Sequence, residues 1–230
     1  MKMKVLMLMG WLVSLSALGQ QSEVRKVGSF TGVKSGQAID VYLKKGDKES
    51  VKIEASGTDL SNVLTEISGS YLKIRIRDGS NGSRWGKKDV KAYVTYISID
   101  KIVASSASNI FSEGTIKSGD MEVHASSAAN VEISIDADDV QVHASSAGDV
   151  ILEGKAKSIN AEASSAGEID AYNLTAESAE ASASSGGSIK LNVSMGLDAH
   201  ASSGGSIRYR GNPSKTNTGS SSGGSVKKSN

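Results

Sequence analysis

Apolar and polar residues alternate along most of this chain, and the alternation is organised around a seven-residue stretch that keeps returning. Reading back in steps of two from its first Ala gives Met121 and Val123, Val140 and Val142, Ile159 and Ala161, Ala179 and Ala181, Leu197 and Ala199. Between them lie Glu122 and His124, Gln141 and His143, Asn160 and Glu162, Glu180 and Ser182, Asp198 and His200. A period of two is a strand with one buried face. Beyond the stretch the pattern resumes with Ile110, Val131, Val150, Ile169, Ile189, Ile207 and Val226, followed two residues later by Ile133, Leu152, Ala171, Leu191 and Tyr209.

The stretch itself reads ASSASNI from Ala104, ASSAANV from Ala125, ASSAGDV from Ala144, ASSAGEI from Ala163, ASSGGSI from Ala183 and from Ala201, and SSSGGSV from Ser220, at spacings of 18 to 21 residues. Each unit is therefore predicted to be a strand, a tight Ser/Gly turn, a second strand and a variable connection. A unit this short, without a helix, cannot bury its own apolar face, whereas stacked copies can. Identical stretches on every pass favour parallel coils, so the expected fold is an all-β parallel β-solenoid (β-helix) with coils of about 19 residues. The Leu-rich consensus of leucine-rich repeats is missing, and an antiparallel meander would need two-residue hairpins.

The turn chemistry carries three expectations. The Ala column should pack where opposing walls approach. The first Ser should face water, and the second (Ser106, Ser127, Ser146, Ser165, Ser185, Ser203) should point inward to bond the turn backbone. Glycine at 148, 167, 187, 205 and 224 suggests a corner with positive φ.

Residues 20–102 show period-two strands without the repeated stretch: AIDVYL at 38–43, SVKIEA at 50–55, YLKIRIR at 71–77 and VKAYVTYIS at 90–98. This amino-terminal β region is expected to be continuous with the solenoid and to cap it, leaving 103–230 as repeats with a frayed carboxy-terminal tail. The first 19 residues, with Lys2 and Lys4 before an apolar run from Val5 and small residues at Ala17 and Gly19, have the organisation of a secretory signal peptide. That predicts an exported protein of the periplasm, outer cell surface or extracellular space, with no membrane span in the mature chain. Cysteine is absent, so no disulfide holds the coils and no lipid-attachment Cys follows the apolar run.

Composition narrows function. A formal net charge of +1 is not the concentrated basic excess that nucleic-acid binding needs. His124, His143 and His200 share one outward column, the first two on adjacent coils. Zinc would need a third ligand there, with Glu162 next in line, and the alternative is an exposed polar ladder. Asp136, Asp138 and Asp139 cluster once, whereas a calcium-binding β-roll repeats its acids on successive coils. No metal, cofactor or catalytic residue is assigned. Carbohydrate-active β-helices need convergent carboxylates or a cationic base, and the outward column Phe111, Glu132, Ile151, Asp170, Lys190, Arg208 spreads opposite charges along the axis. The strongest candidate contact is the 78–89 loop, where Trp85 sits among Arg84, Lys87 and Lys88 as an anchor for a protein or glycan partner, unless Trp85 folds back onto the wall.

The opening VRKVGSFTGVKSGQAIDVYLKKGD, the SGSYLKIRI stretch and the ladder of ASS(A/G)G-x-(I/V) units resemble the head GIN domain family of auto-transporter adhesins, exported proteins of Bacteroidota. The resemblance covers essentially the whole mature chain and implies a right-handed parallel β-helix in a cell-envelope setting, with no active-site residue carried over. The ending GNPSKTNTGSSSGGSVKKSN departs from the membrane barrel that the word autotransporter implies. The reading is an exported, non-catalytic adhesion or interaction module, with a glycan-active enzyme or a ligand-free structural component of the envelope as alternatives.

Overall fold

The structure is a computed structural model that describes residues 21–79 and 89–229. Its strands are β1 (Gln21–Arg25), β2 (Gly32–Ser35), β3 (Ile39–Lys45), β4 (Ser50–Ser56), β5 (Val63–Ser68), β6 (Tyr71–Ile76), β7 (Asp89–Tyr96), β8 (Lys101–Ala104), β9 (Asn109–Ser126), β10 (Asn130–Ser145), β11 (Asp149–Ala163), β12 (Glu168–Ala183), β13 (Ser188–Ala201), β14 (Ser206–Arg210), β15 (Lys215–Ser220) and β16 (Ser225–Lys228). Consecutive coils pair in parallel with the repeats aligned: Val131 faces Val150 and Ala144 faces Ala163, while Ile169 faces Ile189 and Ala183 faces Ala201. This is a β-solenoid. The interior is the set of columns read from the alternation, with Ile110, Val131, Val150, Ile169, Ile189 and Ile207 all fully buried.

Each coil has two walls, one before and one after the repeated stretch. The variable connection expected between them is not a loop. Strands β9 to β13 run through it unbroken, and the pairing gives way only locally: Asp138 is skipped between Ala137 and Asp139, while on β13 Ser194 and Met195 are skipped between Val193 and Gly196. Bending a strand while keeping its ladder leaves few backbone groups unpaired, which a loop in every coil would not. The carboxy-terminal segment, expected to fray, supplies two further parallel strands: β15 on β13 and β16 on β14.

The repeated stretch is the sharp corner, though not as the sequence suggested. Positive φ falls on the second Ser and the residue after it, for example Ser146 (50°) and Ala147 (59°), not on Gly148. Two successive positive φ values closed by a bond such as Gly148 N–H to Ser145 O (2.9 Å) make a type I′ turn. Left-handed backbone costs a non-glycine residue about 1–2 kcal/mol. The stack offsets this, because each corner donates to the next: Ala107 to Ser127 O, Ala128 to Ser146 O, Ala147 to Ser165 O and Ala166 to Ser185 O, at 3.0–3.1 Å. The second Ser is consequently exposed rather than turned inward. Glycine is required at 148 for close approach, since a Cβ there would lie 2.6 Å from the Ala125 carbonyl carbon and 2.8 Å from Ser126 N.

The amino-terminal residues add two coils. Strands β2 and β3 stack on β8 and β9 through a corner, Ser35-Gly36-Gln37-Ala38, whose Gln37 and Ala38 carry the same positive φ pair (61° and 56°). Strands β6 and β7 stack on β2 and β3 in turn. Above them the pairing turns antiparallel, with β5 closing one wall and β4 then β1 closing the other.

Candidate functional site

Side chains that alternate with the buried columns form straight outward ladders, so each outward residue touches its equivalent on the next coil about 4.8 Å away. On the wall before the corner, the rings of His124 and His143 stack with centroids 4.7 Å apart and planes within 9°. Each is bonded to a carboxylate: His124 Nε2 to Glu122 Oε1 at 2.7 Å, and His143 Nδ1 to Glu162 Oε2 at 3.1 Å. The bond from His124 holds the Glu122 carboxyl below the usual carboxylate range, with help from the charges of His124 and Lys101. His200 lies farther down the same column, separated by Glu162 and Ser182 in register, and bonds its own Asp198 at 2.7 Å. Among the described residues no group of three His, Cys, Asp or Glu side chains is arranged to hold a metal ion.

On the opposite wall, Tyr93, Tyr42 and Phe111 stack in register, with ring centroids 5.2 and 5.4 Å apart. Lower in that column the opposite charges, expected to be spread apart, meet between coils. Lys190 Nζ donates to Glu168 Oε1 at 2.8 Å and to Asp170 Oδ2 at 2.9 Å, and those two bonds, Glu168 first, push its pKa upward. Asp149, in register with Glu168, is pushed up by burial and then by the Glu168 charge. The chain therefore brings three carboxylates together and clamps two of them with one cation.

A third feature lies at the corner of the β2–β3 coil. Here a cleft of about 210 Å³ is lined by Lys34, Lys73, Arg75, Gln37 and Asp78. Gln37 builds its edge: Oε1 accepts from Ile76 N–H at 2.7 Å, and Nε2 reaches Asp78 Oδ1 at 3.5 Å. Lys34 and Lys73 are direct cross-strand partners, so both ammonium groups leave the same face. Lys73 bonds the Ser68 hydroxyl at 2.9 Å, and Arg75 pairs with Glu66 at 3.3 Å.

Of the residues singled out in the sequence, the histidines are placed as above, while Arg84, Trp85, Lys87 and Lys88 lie outside the described residues, as do residues 1–19, where a signal peptide was expected. Neither the Lys190 clamp nor the Lys34–Lys73 cleft was anticipated. The first follows from the 20-residue register between Asp170 and Lys190. The second needs the amino-terminal strands to be placed on the stack, for which the sequence carries no repeat signal.

The fold recurs in solved structures. A protein described as a "putative adhesin" from Bacteroides fragilis is 22% identical, with a TM-score of 0.83 over 92% of this chain and 98% of that one. Another "putative adhesin", from Parabacteroides distasonis, is 19% identical, with a TM-score of 0.71 over 92% and 97%. A "putative lipid binding protein" from the same species is 19% identical, with a TM-score of 0.65 over 92% and 97%. No curated protein matches the chain. Residues 29–213 match the family described as "Putative auto-transporter adhesin, head GIN domain", and the chain belongs to that family.

Proposed function

We propose that this protein is an exported, non-catalytic module of the bacterial cell envelope that binds a protein or glycan partner through its outward columns. The observation that carries this reading is the solenoid wall itself: a rigid, repeated backbone presents different residues at fixed spacing on successive coils, the form of surface that repeat proteins use for extended contacts. Family membership agrees with an adhesion role. The carboxylate cluster around Asp170 is closed by Lys190, which opposes its use as an acid and base pair in glycan cleavage. Arg84, Trp85, Lys87 and Lys88 are proposed as a second contact, on the sequence argument that an aromatic flanked by cations anchors partners.

The test is a panel of neutral and charged glycans together with isolated envelope proteins, assayed for both binding and product release. Saturable binding with intact ligand is expected. Released product would replace the adhesion reading with an enzyme, and failure to bind any member would leave a structural component. Deleting the 79–88 loop should weaken binding if Trp85 is an anchor and change nothing if it is not.

A further inference from the structure

Charges on this solenoid are arranged with their neighbours in mind. Lys117 and Lys155 flank Asp136 from the coils on either side, at 4.0 and 3.4 Å. Lys157 meets Asp138 at 2.7 Å, Lys101 meets Glu122 and Lys44 meets Glu113 at 3.5 Å, and Lys190 holds two carboxylates. Lys34 and Lys73 break the pattern. They are directly opposed in register with the same sign, an arrangement that destabilises a sheet, and Glu66, which faces Lys73 from β5, is bonded to Arg75 instead. Arg208 is likewise opposed to Lys190 and Lys227, but Lys190 there is already neutralised. Among the described residues the acidic pairs Asp120–Asp139 and Asp149–Glu168 are also opposed in register, but of the paired cations it is Lys34 and Lys73 that line the cleft described above.

From this geometry we propose that the cleft between β2 and β6 recognises an anionic group, a sulfate ester or carboxylate, on a polysaccharide. Three cations, Lys34, Lys73 and Arg75, line it against one carboxylate, Asp78. Lys73 donates to a neutral hydroxyl, and Arg75 is engaged in an exposed pair at 3.3 Å, so both keep donors for an oxyanion. Gln37 ties the corner to the end of β6 and fixes the cleft before any ligand arrives. At about 210 Å³ the space is below that of drug-sized pockets and suits one charged substituent rather than a buried oligosaccharide. On the wall below, Glu122, Glu162, Glu180 and Asp198 face out on four of the five coils from β9 to β13, with His124, His143 and His200 bonded to three of them. These carboxylates disfavour a polyanion laid along the axis and favour contact at the end that holds the cleft.

This inference rests on the adhesion reading, and its test separates the two. Binding of the intact protein is measured against dextran sulfate, polygalacturonate, neutral dextran and inorganic phosphate at low salt. Wild type is expected to bind one or both polyanions, with affinity falling as salt is raised. The double variant Lys34→Ala/Lys73→Ala should lose about tenfold or more per cation removed, while its thermal midpoint stays level or rises because a repulsion has gone. The charge-matched variant Lys117→Ala/Lys155→Ala should bind as wild type. Equal loss in both variants, binding of phosphate alone, or polyanion binding that survives in the Lys34/Lys73 variant would each overturn the cleft assignment. Wild-type binding to neutral dextran as tight as to the polyanions would overturn the cleft but leave the adhesion reading standing, and no binding to any glycan or envelope protein would sink both.

Discussion

Replacing Gly167 by Ala tests the account of the corner. Both neighbouring corners carry glycine at the equivalent position, Gly148 and Gly187, so no adjacent Cβ has already opened the stack. The new Cβ would sit 2.5 Å from the Ala144 carbonyl carbon and 2.8 Å from Ser145 N, and relieving this requires backbone to move by close to 1 Å. The first two corners show what such relief looks like. Where Ser108 and Ala129 occupy this place, the turn bond is 3.2 Å, against 2.8–2.9 Å in the glycine corners. Overpacking of this kind costs about 1–3 kcal/mol. Alanine returns about 0.4–1 kcal/mol by restricting the unfolded chain, so a net loss of about 1–2 kcal/mol is expected. The adjacent substitution Ala166→Gly should act oppositely, because Ala166 holds φ at 60° where later corners place Gly186 and Gly204 at 75° and 76°. Release of left-handed strain and the entropy of glycine nearly cancel there, leaving a change within about 0.5 kcal/mol. Urea unfolding followed by circular dichroism, with an unchanged slope as the check on two-state behaviour, measures both. A Gly167→Ala chain as stable as wild type, together with an Ala166→Gly chain destabilised by more than about 1 kcal/mol, would refute the assignment of close approach to one residue and positive φ to the other.

Three further outcomes follow from packing and charge. Ala163→Leu fills a column that is 2% exposed between Ala144 and Ala183, and calorimetry should show a loss of about 1–3 kcal/mol from overpacking. Lys190→Met leaves Glu168 and Asp170 side by side on one face of β12 beside Asp149 without their shared cation; after allowance for solvent screening the loss should be about 1 kcal/mol at pH 7 and should vanish in acid, where the carboxylates are neutral. Asp149 has a folded pKa raised by burial and by Glu168, so its ionisation opposes folding: stability from this group is full below its unfolded value near 3.8 and declines as pH rises toward the folded value. Asp149→Asn should therefore melt higher than wild type at pH 7, and the gain should disappear below pH 3.8; a gain that persists in acid would contradict the assignment.

Much of the fold was legible because a period of two is a property of strand backbone and survives any choice of small or large apolar residue. The Ile/Val column from Ile110 to Ile207 is buried throughout for that reason. The corner was misread because glycine grants two permissions, positive φ and a missing Cβ, and composition does not distinguish them. Ser and Ala adopt the left-handed pair here because the inter-coil ladder holds them there, a tertiary effect. The amino-terminal corner at Gly36-Gln37-Ala38 escaped notice since it shares the conformation of the repeats and almost none of their residues. The His124–His143 stack could be placed from a common column 19 residues apart, whereas the cationic cleft joins Lys34 to Lys73 through a pairing of β2 with β6 that skips the three intervening strands β3, β4 and β5.

The central claim is that the repeated stretch is architecture and that binding belongs to the residues varying around it. Its most direct test is the triple variant Ser146→Ala/Ser165→Ala/Ser185→Ala, measured for thermal midpoint and for affinity to dextran sulfate. These hydroxyls are exposed at corners where Ala is already accommodated, as at Ala147 and Ala166, so both quantities are expected to match wild type. A variant that melts as wild type yet loses its binding would place the function in the repeat itself and contradict the account.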